Sequence, residues 1–296
     1  MSSIAKRFRP GFSTVRVVGL LSLGTIAASA QVLSYPDFSV TTGLSINGTA
    51  STTRTSDGNV LRLTPAACCS AGSAFAAQPV PFQLSADTFS TFFQFRITNP
   101  GGLAPADGIA FIIREKGLPN LGITGGTTGY DGIGHSISIR FDTYRNEGEI
   151  NNNRVNIQTD GTKENLVSRT PLGVANCSLP AGIVGCMSNG DVWSVWIDYD
   201  GSHVHVALAD SSTTRPADLI DLPLSLPALL NYAPDAAVGL SAGTGGGFEN
   251  HDILNWVYFS TFNPTPTGTA QLMPAKLIAP PAVVSQAIVR SGPGPR

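Results

Sequence analysis

Apolar and polar residues alternate in strand-length stretches from Tyr35 to Phe262, and no amphipathic helix of ordinary length interrupts them. Val60 to Thr64 alternates after a turn at Asp57-Gly58-Asn59. Thr88 to Thr98 places Phe89, Phe93, Phe95 and Ile97 on one face and Thr88, Phe92, Gln94 and Arg96 on the other. Phe92 among polar neighbours predicts that this outer face is itself partly covered, by a second sheet or a long loop. Gly108 to Arg114 is more continuously apolar, the pattern of a central strand buried on both sides. Ser136 to Tyr144 and Arg154 to Thr159 bracket an acidic, asparagine-rich loop. Trp193, Val195, Ile197 and Tyr199 share a face, and after Asp200-Gly201 so do Val204, Val206 and Leu208, which predicts a hairpin. Leu219 to Leu230 reads as a short helix or turn broken by Pro223 and Pro227. Ala236 to Ser241 and His251 to Phe262 supply the last strands. The pattern implies an all-β chain of two stacked antiparallel sheets over a core rich in Phe and Trp.

The two ends differ from this pattern. Residues 1–30 read as a signal peptide: Lys6, Arg7, Arg9 and Arg16 form a basic start, Val17 to Ala28 is apolar, and Ala28-Ser29-Ala30 fits a cleavage site. The apolar run is short for a membrane span of about 20 residues, so no transmembrane segment is expected. The compact form of the leader is read as bacterial, and the product as secreted or periplasmic, with attachment at the cell surface also open. Residues 31–262 make one sandwich domain. Residues 263–296, rich in Pro and Ala, read as a flexible tail.

Removing residues 1–30 leaves 14 basic against 20 acidic residues, a net −6. That balance, with no basic stripe, zinc-finger spacing or nucleotide-type glycine motif, argues against a nucleic-acid partner. Export permits disulfides, and Cys177 with Cys186 would close the small loop NCSLPAGIVGC. Cys68 and Cys69 are adjacent; a bridge between them would be strained, so they stay free or one pairs elsewhere. The spacing of the four is not that of a zinc site.

Candidate chemistry concentrates in SIRFDTYRNEGEINNNRVNI, residues 138–157. Asp142, Tyr144, Asn146 and Glu149 are oxygen donors of the kind a calcium ion takes. Asp142 and Asn146 would equally serve as caps of turn amides. A polyol such as a sugar needs a carboxylate acceptor, an amide, backbone donors and an aromatic platform. Asp107, Asn146, a glycine-loop N–H and Tyr144 are of those types.

Three segments together resemble the legume-type (L-type) lectins: Ala106-Asp107-Gly108-Ile109-Ala110-Phe111, then GGTTGYDGIGHSISIRFDTYRN, then AAVGLSAGTGGGFENHDILNW. The resemblance covers about residues 34–262 and implies a concanavalin-like jelly-roll β-sandwich that binds glycans or glycoconjugates. It implies a calcium site of Asp142, the Tyr144 carbonyl, Asn146 and Glu149. It also implies a sugar pocket of Asp107, often after a cis peptide, with Gly125, Gly126, Tyr144, Asn146, Gly245, Gly246, Gly247 and Phe248. The family often pairs through sheet edges or faces, so a homo-oligomer is open. Two positions depart from the plant pattern: Arg140 and Arg154 stand where a manganese-type site has Glu and His. Arginine offers no lone pair, so no Mn2+ is expected. Either guanidinium could pair with Asp142 or Glu149 in place of the cation.

An enzyme on this fold, a glycan hydrolase or lyase, would need two facing carboxyls. The strand ending in Asp142 carries one, and Glu249 and Asp252 open another strand where the family has scaffold positions. A binder is therefore favoured over an enzyme. A structural or adhesive sandwich with a degenerate sugar site is the other alternative.

Overall fold

The computed structural model describes residues 32–81, 87–162, 164–177 and 183–271. The expected signal peptide and the tail from residue 272 onward lie outside the described residues. In chain order the strands are β1 (Val32–Tyr35), β2 (Leu44–Gly48), β3 (Ser51–Thr55), β4 (Gly58–Thr64), β5 (Ala71–Ala76), β6 (Val80–Pro81), β7 (Phe89–Gly102) and β8 (Gly108–Glu115). There follow β9 (Ser136–Asp142), β10 (Arg154–Thr159), β11 (Asn165–Arg169), β12 (Val192–Tyr199), β13 (His203–Asp210), β14 (Ile220–Pro223), the one-turn helix α1 (Leu226–Leu229), β15 (Asp235–Gly243) and β16 (Gly247–Phe259). Among the described residues these strands form two eight-stranded antiparallel sheets. One runs β14-β13-β12-β7-β16-β4-β3 with β1 beside β16; the other runs β11-β10-β9-β8-β15-β5-β2 with β6 beside β15.

Period-two alternation explains how the layers meet. Phe89, Phe93, Phe95 and Ile97 of β7 and Trp193, Val195, Ile197 and Tyr199 of β12 face inward onto Ile109, Phe111 and Ile113 of β8. Strand β8 is buried on both faces: Ala110 and Ile112 point the other way, into a smaller cluster with Phe75, Tyr130 and Ile133. Phe93 sits at the centre of the core, with ring centroids 6.5 Å from Phe111 and 5.8 Å from Phe141 across the layers. Truncating Phe93 to Ala should cost about 3–5 kcal/mol, because the opposing sheets cannot collapse into the space. Urea unfolding of the variant checks this, and a loss below about 1 kcal/mol would contradict it.

Two regions differ from the sequence expectation. Residues 219–230 give a strand, β14, before the short helix, because Ile220 and Leu222 alternate against the open edge of β13. The cover over Phe92 is not a second sheet but irregular backbone that follows β16. Phe92, Trp196, Ala207 and Val257 form an outer apolar cluster, and a shallow cavity there is lined by Asn263, Thr265 and Gln271 together with Phe92 and Trp196. Residues 263–271, which composition assigns to the tail, return along the sheet. Asn263 N donates to Ser90 Oγ at 2.8 Å, Arg215 N to Thr269 O at 3.1 Å and Gln271 N to Thr213 O at 2.8 Å.

Strand register positions the site. Gly243 pairs with Gly108, Gly108 with Asp142, and Asp142 with Arg154. These four residues form one row across an end of the second sheet. The connections leaving that row, 103–107, 143–153 and 244–246, carry Asp107, Tyr144, Asn146, Glu149, Gly245 and Gly246, while Gly125 and Gly126 come from the connection between β8 and β9 and Gly247 and Phe248 open β16.

Candidate functional site

The Ala106–Asp107 peptide is cis, and Gly108 follows with φ +125°. A Cβ at Gly108 would meet Phe141 O at 2.1 Å, so only glycine lets this segment lie across the end of β9. Asp107 is thereby fixed: its N–H donates to Gly243 O and its carbonyl accepts from Thr143 N, both at 3.1 Å. The residue is 4% exposed, yet its Oδ2 has no hydrogen-bond partner among the described residues. A Cβ on Gly245 would lie 3.4 Å from that oxygen, and one on Gly125 would lie 4.0 Å away. Two loops thus turn side-chain-free positions toward one unpaired carboxylate. Burial pushes the Asp107 carboxyl up to about 7, helped by the charge of Asp142 and opposed by Arg140.

Beside it, Arg140 and Arg154 each bring a guanidinium to the same oxygen, Asp142 Oδ2, at 2.7 and 2.5 Å. Arg154 also reaches Glu149 Oε1 at 2.5 Å, the Tyr144 carbonyl at 3.0 Å and the Asn151 carbonyl. Asp142, the Tyr144 carbonyl and Glu149 are three of the four groups that the sequence resemblance assigns to calcium. All three are engaged by a fixed positive charge. Arg140 binds Gly126 O at 2.5 Å and Gln158 Oε1 at 3.0 Å, so it ties the Gly125–Gly126 loop to Asp142. The donor set does not fit a calcium ion: both guanidiniums are buried in hydrogen-bond contact with the carboxylate, and a divalent cation there would face two cations at close range. Arg154 takes the oxygens that the ion would need. Among the described residues, no group of three or more His, Cys, Asp or Glu side chains is placed to hold a metal ion. Burial pushes Asp142 up to about 6, against the pull of both arginines.

Asn146, the fourth expected ligand, is held by its backbone. Its N–H donates to Glu149 Oε2, and its carbonyl accepts from Glu149 N at 3.2 Å. Its carboxamide lies against Gly126, where an added Cβ would approach Nδ2 to 2.7 Å. Tyr144 and Asn146 are both half-buried. In the third loop, Gly245 N donates to Gly247 O at 3.0 Å, and Gly246 O accepts from Leu103 N at 3.1 Å. Phe248 packs away from Asp107: its ring rests on Gly101 and Gly102, where a Cβ at Gly101 would come within 2.4 Å of it. Asp107, Gly125, Gly126, Asn146 and Gly245 therefore gather, while Phe248 supports the loop from the β7 side.

The sequence reading missed the three asparagines before Arg154. Asn152 exchanges two 2.8 Å hydrogen bonds with the backbone of Cys177. Asn153 Nδ2 donates to Val174 O and Gly185 O, and its Oδ1 accepts from Met187 N. Cys177 and Cys186 are bonded to each other, so the clamp grips a closed loop. A run of short amides beside a cysteine loop was the available signal. Cys68 and Cys69, expected from sequence to stay free or to pair elsewhere, are instead bonded to each other. The carboxylates considered for catalysis do not face one another: Asp252 is held bidentately by Arg62 at 2.7 and 2.8 Å, and Glu249 Oε1 accepts from Thr143 Oγ1 at 2.5 Å.

Two stacked antiparallel sheets with a buried carboxylate after a cis peptide at one end define a concanavalin-like lectin sandwich. The chain belongs to the legume lectin domain family, which matches residues 30–274. It is 29% identical over 212 residues to a lectin-like protein of Arabidopsis thaliana, covering 63% of this chain and 74% of that protein. It is 31% identical over 214 residues to L-type lectin-domain containing receptor kinase I.8 of the same plant, covering 68% of this chain and 32% of the kinase. The chain thus spans about a third of the receptor kinase. Among solved structures, winged bean acidic lectin complexed with methyl-α-D-galactose aligns with a TM-score of 0.64 at 25% identity, covering 79% of this chain and 99% of that one. The lectin of Bauhinia forficata in complex with GalNAc aligns with the same TM-score and coverages at 20% identity, which speaks for the fold alone. Family and fold make this a carbohydrate-binding lectin domain and not an enzyme. Among the described residues, no helix is long and apolar enough to cross a membrane.

Proposed function

We propose that the chain is an exported lectin whose sugar pocket is formed by Asp107, the Gly125–Gly126 loop, Tyr144, Asn146 and the Gly245–Gly247 loop, and that arginines, not calcium, hold this pocket in shape. The observation that carries the reading is the buried, unpartnered Asp107 Oδ2 between two glycine loops. An unmet buried acceptor costs about 1–3 kcal/mol, and a donating sugar hydroxyl removes that cost. Arg154 fixes Asp142, Tyr144 and Glu149, and Glu149 in turn fixes the Asn146 backbone, so the amide is oriented before a ligand arrives. The leader at residues 1–30 supports export, and its compact form is what supports a bacterial source; the relatives named above are plant proteins. Any homo-oligomer would raise the weak affinity of such a shallow site through multivalency.

The arginine pair also suits the second reading, a structural sandwich that has lost its sugar site. A glycan array that includes methyl-α-D-galactose and GalNAc separates the two. Binding should be equal in calcium and in chelator. Absence of binding in both conditions would leave the structural reading, and binding abolished by chelator would overturn the arginine-held pocket.

A further inference from the structure

We propose that the Cys68–Cys69 disulfide is an apolar platform at the rim of this pocket, taking the C–H face of a second sugar ring beside the one that meets Asp107; this rests on the glycan-binding reading above. The two cysteines are exposed, and they are bonded to each other. The backbone on both sides of them is tied to the pocket loops. Ala67 O accepts from Thr244 Oγ1 at 2.7 Å, and Ser70 N donates to the same hydroxyl at 2.9 Å. Ser70 O accepts from Thr244 N at 2.9 Å and from Thr124 Oγ1 at 2.6 Å. Thr244 and Thr124 directly precede Gly245 and Gly125, the two glycines nearest Asp107 Oδ2. Ser70 is therefore the knot between the two glycine loops, and the disulfide is the next group along the chain. Ala66 N donates to Asn250 Oδ1 at 2.6 Å, which fixes the far end of the turn.

The chemistry suits a sugar face. Sulfur is polarisable and makes favourable contacts with apolar groups. A bridged pair has little rotamer freedom left to lose when a ligand rests on it, unlike a long aliphatic side chain. Gly125, Gly126, Gly245, Gly246 and Gly247 offer backbone and no side chain, so an apolar contact for a ring extending past Asp107 toward Ser70 would have to come from the neighbouring turn that carries the disulfide.

The test uses the mature chain with methyl-α-D-galactose, GalNAc, methyl mannoside, methyl glucoside and the matching disaccharides as probes. Reduction of Cys68–Cys69 by a water-soluble phosphine is followed by alkylation and mass spectrometry. A bound disaccharide should slow that reduction several-fold in the wild type and leave it unchanged in Asp107→Asn. The double substitution Cys68→Ser, Cys69→Ser should weaken disaccharide binding about five- to tenfold and monosaccharide binding less, as expected for one lost apolar contact. Its melting temperature should stay within about 2 °C, because the bridge closes almost no chain. Unprotected reduction together with unchanged disaccharide affinity would overturn the platform alone. Wild-type protein that binds none of the probes, or Asp107→Asn that binds as the wild type does, would overturn the pocket and the platform together.

Discussion

Replacing Arg154 by Ala should destabilise the domain by about 3–5 kcal/mol, the usual consequence of stripping one partner from a buried charge pair. In a domain of this size that corresponds to a melting temperature lower by on the order of 10 °C. Arg154 is fully buried and serves Asp142, Glu149, Tyr144 and Asn151 at once. Arg140 would remain on Asp142, but Glu149 and two backbone carbonyls would lose their donor. Glycan binding should fall with stability, since Glu149 holds the Asn146 backbone. Arg154→Lys should recover only part of the loss, because a point charge cannot span these four acceptors as a planar fork does. Calcium should not raise the melting temperature of the wild type. Scanning calorimetry on the three proteins, with and without calcium, reads all of this. A loss below about 1 kcal/mol for Arg154→Ala would mean that the guanidinium is not the organising cation.

Asp107→Asn should separate affinity from stability. The folded carboxyl titrates near pH 7, above its ordinary value of about 3.9. The folded state therefore holds the proton more tightly than the unfolded chain does. Stability contributed by this group is present at low pH and is lost as pH rises from about 4 to about 7. Removing the charge relieves that cost, so the variant should be more stable than the wild type at pH 8, by about 1–3 kcal/mol, and about equal to it at pH 4. Sugar binding has the opposite sign. The acceptor must be ionised, so wild-type affinity should climb as pH rises through about 7, and Asp107→Asn should bind about 10- to 100-fold more weakly at pH 8 for want of charge-assisted hydrogen bonds. Calorimetric titration across pH 5–8 beside thermal melts would test both signs. A variant less stable than the wild type at pH 8, or a flat pH profile of binding, contradicts this account.

The central strands were legible because their alternation is long and their inward residues large: β7, β8, β12 and β13 follow the apolar positions residue for residue. Strands such as β3, Ser-Thr-Thr-Arg-Thr, carry no such signal, since an edge strand with two polar faces is specified by its neighbour rather than by its own pattern. The site was legible as a set of residue types but not as a set of partners. Asp142, Tyr144 and Glu149 stand together as their spacing suggested, while the identity of their cation depended on where two long side chains end. Arg140 points along its own strand face to Asp142, two residues away, and Arg154 arrives there only because β10 pairs with β9 in that register. Register is a property of the folded sheet. The position of Phe248 depends on register in the same way: its ring follows the β16–β7 pairing onto Gly101 and Gly102.

The Asn151–Asn153 clamp joins the surroundings of Arg154 to a disulfide loop. In a newly made, reduced chain, Cys177 and Cys186 are two loose points nine residues apart. The backbone groups that Asn152 and Asn153 grip, at Cys177, Val174, Gly185 and Met187, then have no covalent reason to stay together. Asn151, whose carbonyl Arg154 uses, begins the same clamp. The end of the sheet that Arg154 organises is in this way tied, through three short amides, to a covalently closed loop, so opening the Cys177–Cys186 bridge should loosen the surroundings of Arg154 as well as the loop itself.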